Sequence, residues 1–324
     1  MKLPEIKTLA RSASLFAAAL LGAITLVPPS MAAAPMVKTQ APGYYPLMVG
    51  QFQVAALLDG SLNLPVEKLL KQPAQKTTAA LAKQYLKSPV ETSINAYLVN
   101  TGKRLMLFDV GSSGSHGPTT GAVLANLKAL GYKPEDVDDV FITHSHWDHV
   151  EGLTRDGQKV FPNAVVHVGK GDVDFFLGHQ AKPNESHEER EGFEVAAAAY
   201  GPYQADGRLK PIDGPGVVAE GVTAVPSPGH TPGHTSYIVE SEGKKLYILG
   251  DLIHVAAVQF DDPTVTIVWD SDPRAAVVAR QKLFAEAASA GALVAAAHLS
   301  FPGFGTLHAK GKGWVYRRSV PPWD

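Results

Sequence analysis

The sequence predicts a layered α/β domain. Runs with the two-residue period of strands alternate along the chain with runs of helical composition. No repeat period and no linker-like stretch divides them. A third observation is positional. Short apolar runs repeatedly end in a histidine or a carboxylate, as expected when a rigid sheet presents reactive groups at its strand ends.

The first residues stand outside that domain. Lys2, Lys7 and Arg11 give a positive start, residues 15–27 are almost purely apolar, and Ser30-Met31-Ala32 is a small-x-small cleavage site. The apolar run is too short to span a bilayer comfortably. Residues 1–32 are therefore expected to be a signal peptide cut after Ala32 or Ala33, and the mature protein to be periplasmic or secreted, with no membrane association. Residues 33–46 carry three prolines and are expected to form an extended arm.

A single domain is expected over 47–324. The alternation Phe52, Val54, Ala56, Leu58 marks a strand, and Asp59-Gly60 reads as a hairpin turn before 61–64. Residues 66–88 form a helical excursion interrupted by Pro73. Strands are expected over 92–99, 104–110 and 140–143, with a helix ending near Gly131 between the last two. Residues 161–168 read as a strand, and 170–203 as polar and helical with a flexible middle around Pro183. Strands at 217–225, 236–240 and 245–249, a helix over 273–290 and a strand over 293–297 complete the regular part.

A chain of 324 residues with 45% hydrophobic content can bury a substantial core. Its formal charge of −2 provides no electrostatic footprint for nucleic acid or an anionic membrane. Cysteine is absent. Disulfides are thereby excluded, and any metal must be held by imidazole and carboxylate.

The segment Thr143-His144-Ser145-His146-Trp147-Asp148-His149 is the most informative. Alternate residues of an extended segment share a face, so His144 and His146 project together. After a turn, Asp148 and His149 can face the same cavity. Four donors exceed what one open catalytic ion requires, which points to two ions sharing the segment. Further donors are expected where other strands end: His230 in Pro228-Gly229-His230-Thr231-Pro232-Gly233-His234, Asp251 after Leu249-Gly250, and His298 after three alanines.

These motifs resemble the metallo-β-lactamase-like hydrolase superfamily, whose His-x-His-x-Asp-His signature is intact, and the likeness runs from about Ala41 onward. Within it, Ala41-Pro42-Gly43-Tyr44-Tyr45, residues 251–263 and His298-Leu299-Ser300-Phe301-Pro302-Gly303 are similar to the methyl parathion hydrolase branch. The resemblance implies a four-layer αβ/βα sandwich and a homodimer. It implies one ion on His144, His146 and His230, a second on Asp148, His149 and His298, and Asp251 between them. Asp148 and Asp251 would be the carboxylates at the chemistry. Asp109 would support a ligand, and His234 would be supporting or structural. Zinc is the expected metal, with Mn, Co or Fe accepted by the same donors.

Two such ions sharing a bridging hydroxide imply a hydrolase. The windows 141–154, 226–238, 246–269 and 292–309 contain no Lys or Arg, so a small, neutral, hydrophobic ester is the expected partner rather than an anion. Candidate pocket residues are Leu69, His116, Trp147, Phe176, Phe193, His254, Ile267 and Trp269. Phe176 and Phe193 keep the branch's aromatic wall. His116 stands where that branch implies an aromatic, His254 where it implies an aliphatic, and Leu69 where it implies a basic residue. Ile267 and Trp269 also differ in shape. The departures favour an aryl ester or lactone, with phosphotriester (organophosphate) cleavage as a side activity. The alternatives are a true methyl-parathion-type phosphotriesterase and a periplasmic metal-binding protein without catalysis.

Overall fold

The computed structural model describes residues 36, 38, 40–179 and 187–318. The expected signal peptide, residues 33–35, 37 and 39 of the expected arm, and the expected flexible middle around Pro183 lie outside the described residues. The chain opens with β1 (Tyr44–Val49), β2 (Phe52–Leu64), the helices α1 (Val66–Leu69) and α2 (Ala74–Lys83), β3 (Val90–Asn100) and β4 (Leu105–Phe108). Next come α3 (Val123–Ala129), β5 (Asp139–Phe141), α4 (Trp147–Val150), and the small strands β6 (Thr154–Arg155) and β7 (Gln158–Lys159). The first half closes with β8 (Val165–Gly169), α5 (Lys170–Asp172), α6 (His187–Ala205) and β9 (Leu209–Ile212). The second half runs β10 (Gly216–Ala219), β11 (Val222–Pro226), β12 (Thr235–Ser241), β13 (Lys244–Ile248), α7 (Ala256–Gln259), α8 (Pro273–Ser289), β14 (Leu293–Ala295), β15 (Phe304–Lys310) and β16 (Gly313–Arg318).

Two seven-stranded sheets result, in the orders β1-β2-β3-β4-β5-β8-β9 and β10-β11-β12-β13-β14-β15-β16. The two-residue period of the strands decides the layering. Met106 and Phe108 join Val54, Ala56 and Val99 against Ala224, Tyr237, Val239, Ile248 and Phe304 of the other sheet. Their neighbours Leu105 and Leu107 face outward onto Leu127 of α3 and Ala196 and Tyr200 of α6. In the second sheet Leu246 and Ile248 face inward, while Tyr247 and Val294 pack on Leu283, Phe284 and Ala287 of α8. Helix, sheet, sheet, helix is the expected four-layer sandwich. β4, β5, β8 and β9 pair in parallel, and β4 is buried on both faces, as parallel strands are.

Several expectations need correction. Asp59-Gly60 makes no hairpin: β2 continues through it with a bulge between Leu58 and Gly60. The bulge turns Asp59 inward, where its carboxylate accepts from Ser112 N (3.1 Å), Ser112 Oγ (2.9 Å) and Gly121 N (3.0 Å). A Cβ at Gly60 would lie 1.8 Å from Thr119 O, so only glycine fits. The arm does not reach Pro46, because Tyr44, Tyr45 and Pro46 pair with Leu57, Ala56 and Ala55 in β1. An edge strand tolerates that proline. Residues 217–225 are two strands rather than one, split at Gly221 with φ +73°. Residues 161–164 precede β8 instead of belonging to it, and β9 and the final hairpin β15–β16 were not expected.

Strand ends converge on one rim. Asp109 follows β4, His144 follows β5, His230 follows β11, Asp251 follows β13 and His298 follows β14. Bonds between the sheets fix that rim. Thr235 N donates to Thr143 O (2.8 Å), Tyr237 Oη to Ile142 O (2.7 Å), and Asn95 Nδ2 to Ala297 O (3.0 Å) and Leu299 O (2.7 Å).

Candidate metal centre

The loop after β5 and the start of α4 carry the motif. His144 and His146 leave the strand end together, and α4 turns Asp148 and His149 back toward them. His146 Nδ1 lies 3.0 Å from His144 Nε2 and 3.1 Å from His230 Nε2. Asp251 Oδ2 lies 3.6 Å from His144 Nε2 and 3.4 Å from His230 Nε2. A second group forms beside it. Asp148 Oδ2 is 3.5 Å from His149 Nε2 and 3.4 Å from His298 Nε2. Asp251 reaches this group too, with Oδ1 3.4 Å from His149 Nε2 and Oδ2 3.1 Å from His298 Nε2. All seven expected donors are thus brought together, His144, His146, His230 and Asp251 in one group and Asp148, His149 and His298 in another that Asp251 also approaches.

The donors fit a pair of divalent ions. His149 Nε2 and Asp251 Oδ1 are buried with no hydrogen-bond partner, a condition that costs about 1–3 kcal/mol per group unless a ligand satisfies it. Nitrogens at about 2.0–2.1 Å around a tetrahedral ion lie ~3.3 Å apart, close to the 3.0 and 3.1 Å seen here.

Behind the donors stand groups that fix their rings. Asp109 accepts from Thr143 N (2.7 Å) and Thr143 Oγ1 (2.8 Å), and its other contact is His149 Nδ1 at 2.8 Å. Its φ of +57° shows the backbone held in an uncommon conformation to aim that carboxylate. His230 Nδ1 meets Asp270 Oδ1 at 2.9 Å, and Ile267 N donates to Asp270 Oδ2 at 3.0 Å. His298 Nδ1 donates to Ser93 O at 3.0 Å. His234 Nε2 accepts from Asp251 N (3.0 Å), so the ring proton sits on Nδ1 and points to Ser227 Oγ (2.9 Å). Asp172 joins two donor-bearing loops. It accepts from Ser145 N (2.8 Å), Thr231 Oγ1 (3.0 Å) and Gly233 N (2.6 Å).

Residues 89–298 match the family profile of the metallo-beta-lactamase superfamily. The chain belongs to that superfamily. Among solved structures it is similar to the hydrolase AbOPH of the beta lactamase superfamily, at 39% identity and a TM-score of 0.80, over 87% of this chain and 99% of that one. It is also similar to AidC, a dizinc quorum-quenching lactonase solved with a product, at 26% identity and a TM-score of 0.77, over 86% and 97% of the two chains. An N-acyl homoserine lactonase of Bacillus cereus is 27% identical over 166 residues, 49% of this chain and 56% of that one. Alignments to the first curated relatives span only 41% to 56% of their length.

In this superfamily hydrolase, burial and charge divide the histidines. Burial, reinforced by neighbouring rings, lowers His146 and His230 to about 4 and His144 well below the ordinary range. These rings are neutral and ready to ligate at pH 7. Burial also works against protonation of His149 and His298, yet Asp251 and its fellow carboxylates outweigh it. They raise His298 to about 9 and His149 well above the ordinary range. Burial would raise Asp148 and Asp251, but the surrounding histidines hold both carboxyls well below the usual range.

The expected pocket residues are distributed unevenly. Phe176 stands edge-on to His146 at 6.4 Å, with Phe193 tilted against it at 5.7 Å. His116 stacks on Trp147 at 3.8 Å. Trp269 lies 5.7 Å from the His254 ring, which stacks on His298 at 5.1 Å. Leu69 and Ile267 pack instead into the apolar cluster around Val66, Leu70 and Val265, beneath the strand bridge Leu70–Ile267. Asp172 and Asp270 were missed in the sequence. A single carboxylate in a loop carries no periodicity, and only the glycines around Asp172 hinted at close packing. A Cβ on Gly233 would lie 2.1 Å from Asp172 N.

Proposed function

We propose that this chain is a dizinc hydrolase of small, neutral, hydrophobic esters, favouring lactones and aryl esters, with phosphotriester cleavage as a side activity. The supporting observation is a seven-donor rim flanked by aromatic side chains, in loops that carry no Lys or Arg. The buried guanidinium of Arg280 does not alter this, because it is committed to the carbonyls of Leu252, Pro263 and Val265. Likeness to AidC, a dizinc lactonase, supports both the metal and the lactone.

When bound, two such ions supply Lewis acidity at the ester carbonyl and an acidified water. The chain's residues do the rest. His144, His146 and His230 would hold one ion and Asp148, His149 and His298 the other, with Asp251 within reach of both. Asp148 is more exposed than Asp251, 8% against 3%. Its carboxylate, kept ionised by His149 and His298, would stay charged at neutral pH and orient the attacking water by accepting a hydrogen bond from it. Phe176, Phe193, Trp147 and Trp269 seat the apolar body of the substrate and exclude bulk water.

The test compares kcat/KM of zinc-reconstituted protein on N-hexanoyl homoserine lactone, an aromatic lactone, a phenyl ester and a methyl phosphotriester. The carbon esters are expected to lead. A phosphotriester preference above about tenfold, roughly 1.4 kcal/mol of transition-state discrimination, overturns the ranking in favour of a methyl-parathion-type enzyme. Absence of turnover with two ions bound favours a metal-binding protein. The same reading takes the mature chain as exported, which the N-terminal pattern supports, and as a homodimer, which the family resemblance implies; intact mass and sedimentation of periplasmic protein check the two.

A further inference from the structure

His254 is an imidazole that the seven-donor reading leaves unused. It is 3% exposed, and both ring nitrogens are buried without a hydrogen-bond partner. Its Nε2 lies 3.1 Å from Asp251 Oδ2, the same distance at which His298 Nε2 approaches that oxygen. Asp251, His254 and His298 thereby form a third group whose donor atoms all lie within 4.8 Å of one another. A substrate-contacting wall residue needs neither such depth nor such proximity to the bridging carboxylate.

The backbone presents this ring rigidly. Gln259 Oε1 accepts from His254 N (2.8 Å) and Val255 N (2.9 Å), and Gln259 Nε2 donates to Val265 O (3.1 Å). Arg280 ties down the same loop through Leu252 O, and through Pro263 O and Val265 O at 2.8 Å each. An imidazole sealed from water by Trp269 and His298, with both nitrogens unsatisfied, is the environment of a ligand.

We propose that His254 is an eighth protein donor, offering Nε2 to the ion held by Asp251 and His298. This rests on the dinuclear reading and adds a property to it: the ion beside His298 has a donor that the motif does not encode. That ion is held more tightly than its three motif ligands allow, and its coordination shell can exchange His254 for a substrate oxygen.

Chelator-stripped protein titrated with Co(II), then with Zn(II), tests this, using the full chain and the variants His254→Leu and His254→Gln. The wild type is expected to bind two ions, with the second weakened tenfold or more in both variants and the first unchanged. The cobalt ligand-field bands of the second ion are expected to shift in the variants. In long-range proton–nitrogen correlation spectra of wild type, the His254 Nε2 resonance is expected to move with the second zinc equivalent only. Unchanged affinity for the second ion, with an unmoved His254 resonance, overturns the proposal and returns His254 to the substrate wall. Saturation of the wild type at one ion overturns the dinuclear reading and this proposal with it.

Discussion

Within the donor set, three rings have their remote nitrogen claimed by a particular oxygen: Asp109 behind His149, Asp270 behind His230, Ser93 O behind His298. Removing Asp270 as Asp270→Ala is expected to weaken the ion at His144, His146 and His230 by about 10–100-fold, read by chelator competition. Asp251→Asn is expected to lose the second ion and most activity; two bound ions with full activity in that variant count against a shared carboxylate. Away from the centre, Asp139 accepts from Arg104 Nε (2.8 Å) and faces His167 Nε2 (3.0 Å). Burial would raise its carboxyl, but His167 and Arg104 win and lower it below 3.8. A depressed folded-state pKa adds stability above the unfolded value, and that stability fades as pH falls through the folded one. Because Arg104 is half-exposed, Asp139→Asn is expected to cost only about 1 kcal/mol at pH 7. The difference should fade as pH falls through the acidic range in urea titrations of metal-free protein. At this scale the sequence disclosed the donors, because four of them crowd one segment and the others end apolar runs. It concealed Asp172 and Asp270, whose partners are distant in the chain and whose neighbours show no pattern.

Strands such as β3 and β12 were legible as short apolar runs, because both of their faces pack in the interior. Those at the sheet edge were not. β16 ends in Arg317-Arg318, so charge masks the pattern while guarding the edge against unwanted pairing, and β15 beside it ends in three exposed residues. Loops between elements hold their shape through single buried groups. Arg280→Met is expected to leave the carbonyls of Leu252 and Pro263 unpaired, Val265 O keeping its bond from Gln259, and to cost about 3 kcal/mol. Hydrogen exchange should rise first over residues 252–265. Gly233→Ala places a methyl against the Asp172 backbone and is expected to cost about 1–3 kcal/mol, measured by urea denaturation.

Across the whole molecule, the α/β class followed from alternation of strand and helix, but the division into two sheets came only with the family resemblance. Which sheet a strand joins is settled by long-range pairing that local pattern does not encode. The donors come from both sheets, so a bound ion links His146 of one half to His230 of the other in a chain without cysteine. Chelation is therefore expected to lower Tm by on the order of 10 °C for each ion held near a thousand times its Kd. A calorimetric scan that is insensitive to chelator argues against such a link. The carboxylates behind the rings bind backbone amides and ligand side chains, whereas Trp269, beside His254, stands 41% exposed. Inheritance can act on these two sets separately. On the proposed function, a lineage that alters its exposed aromatics would change which ester it accepts while the donor geometry passes on intact, so new substrates would be reachable by single substitutions that keep the reaction.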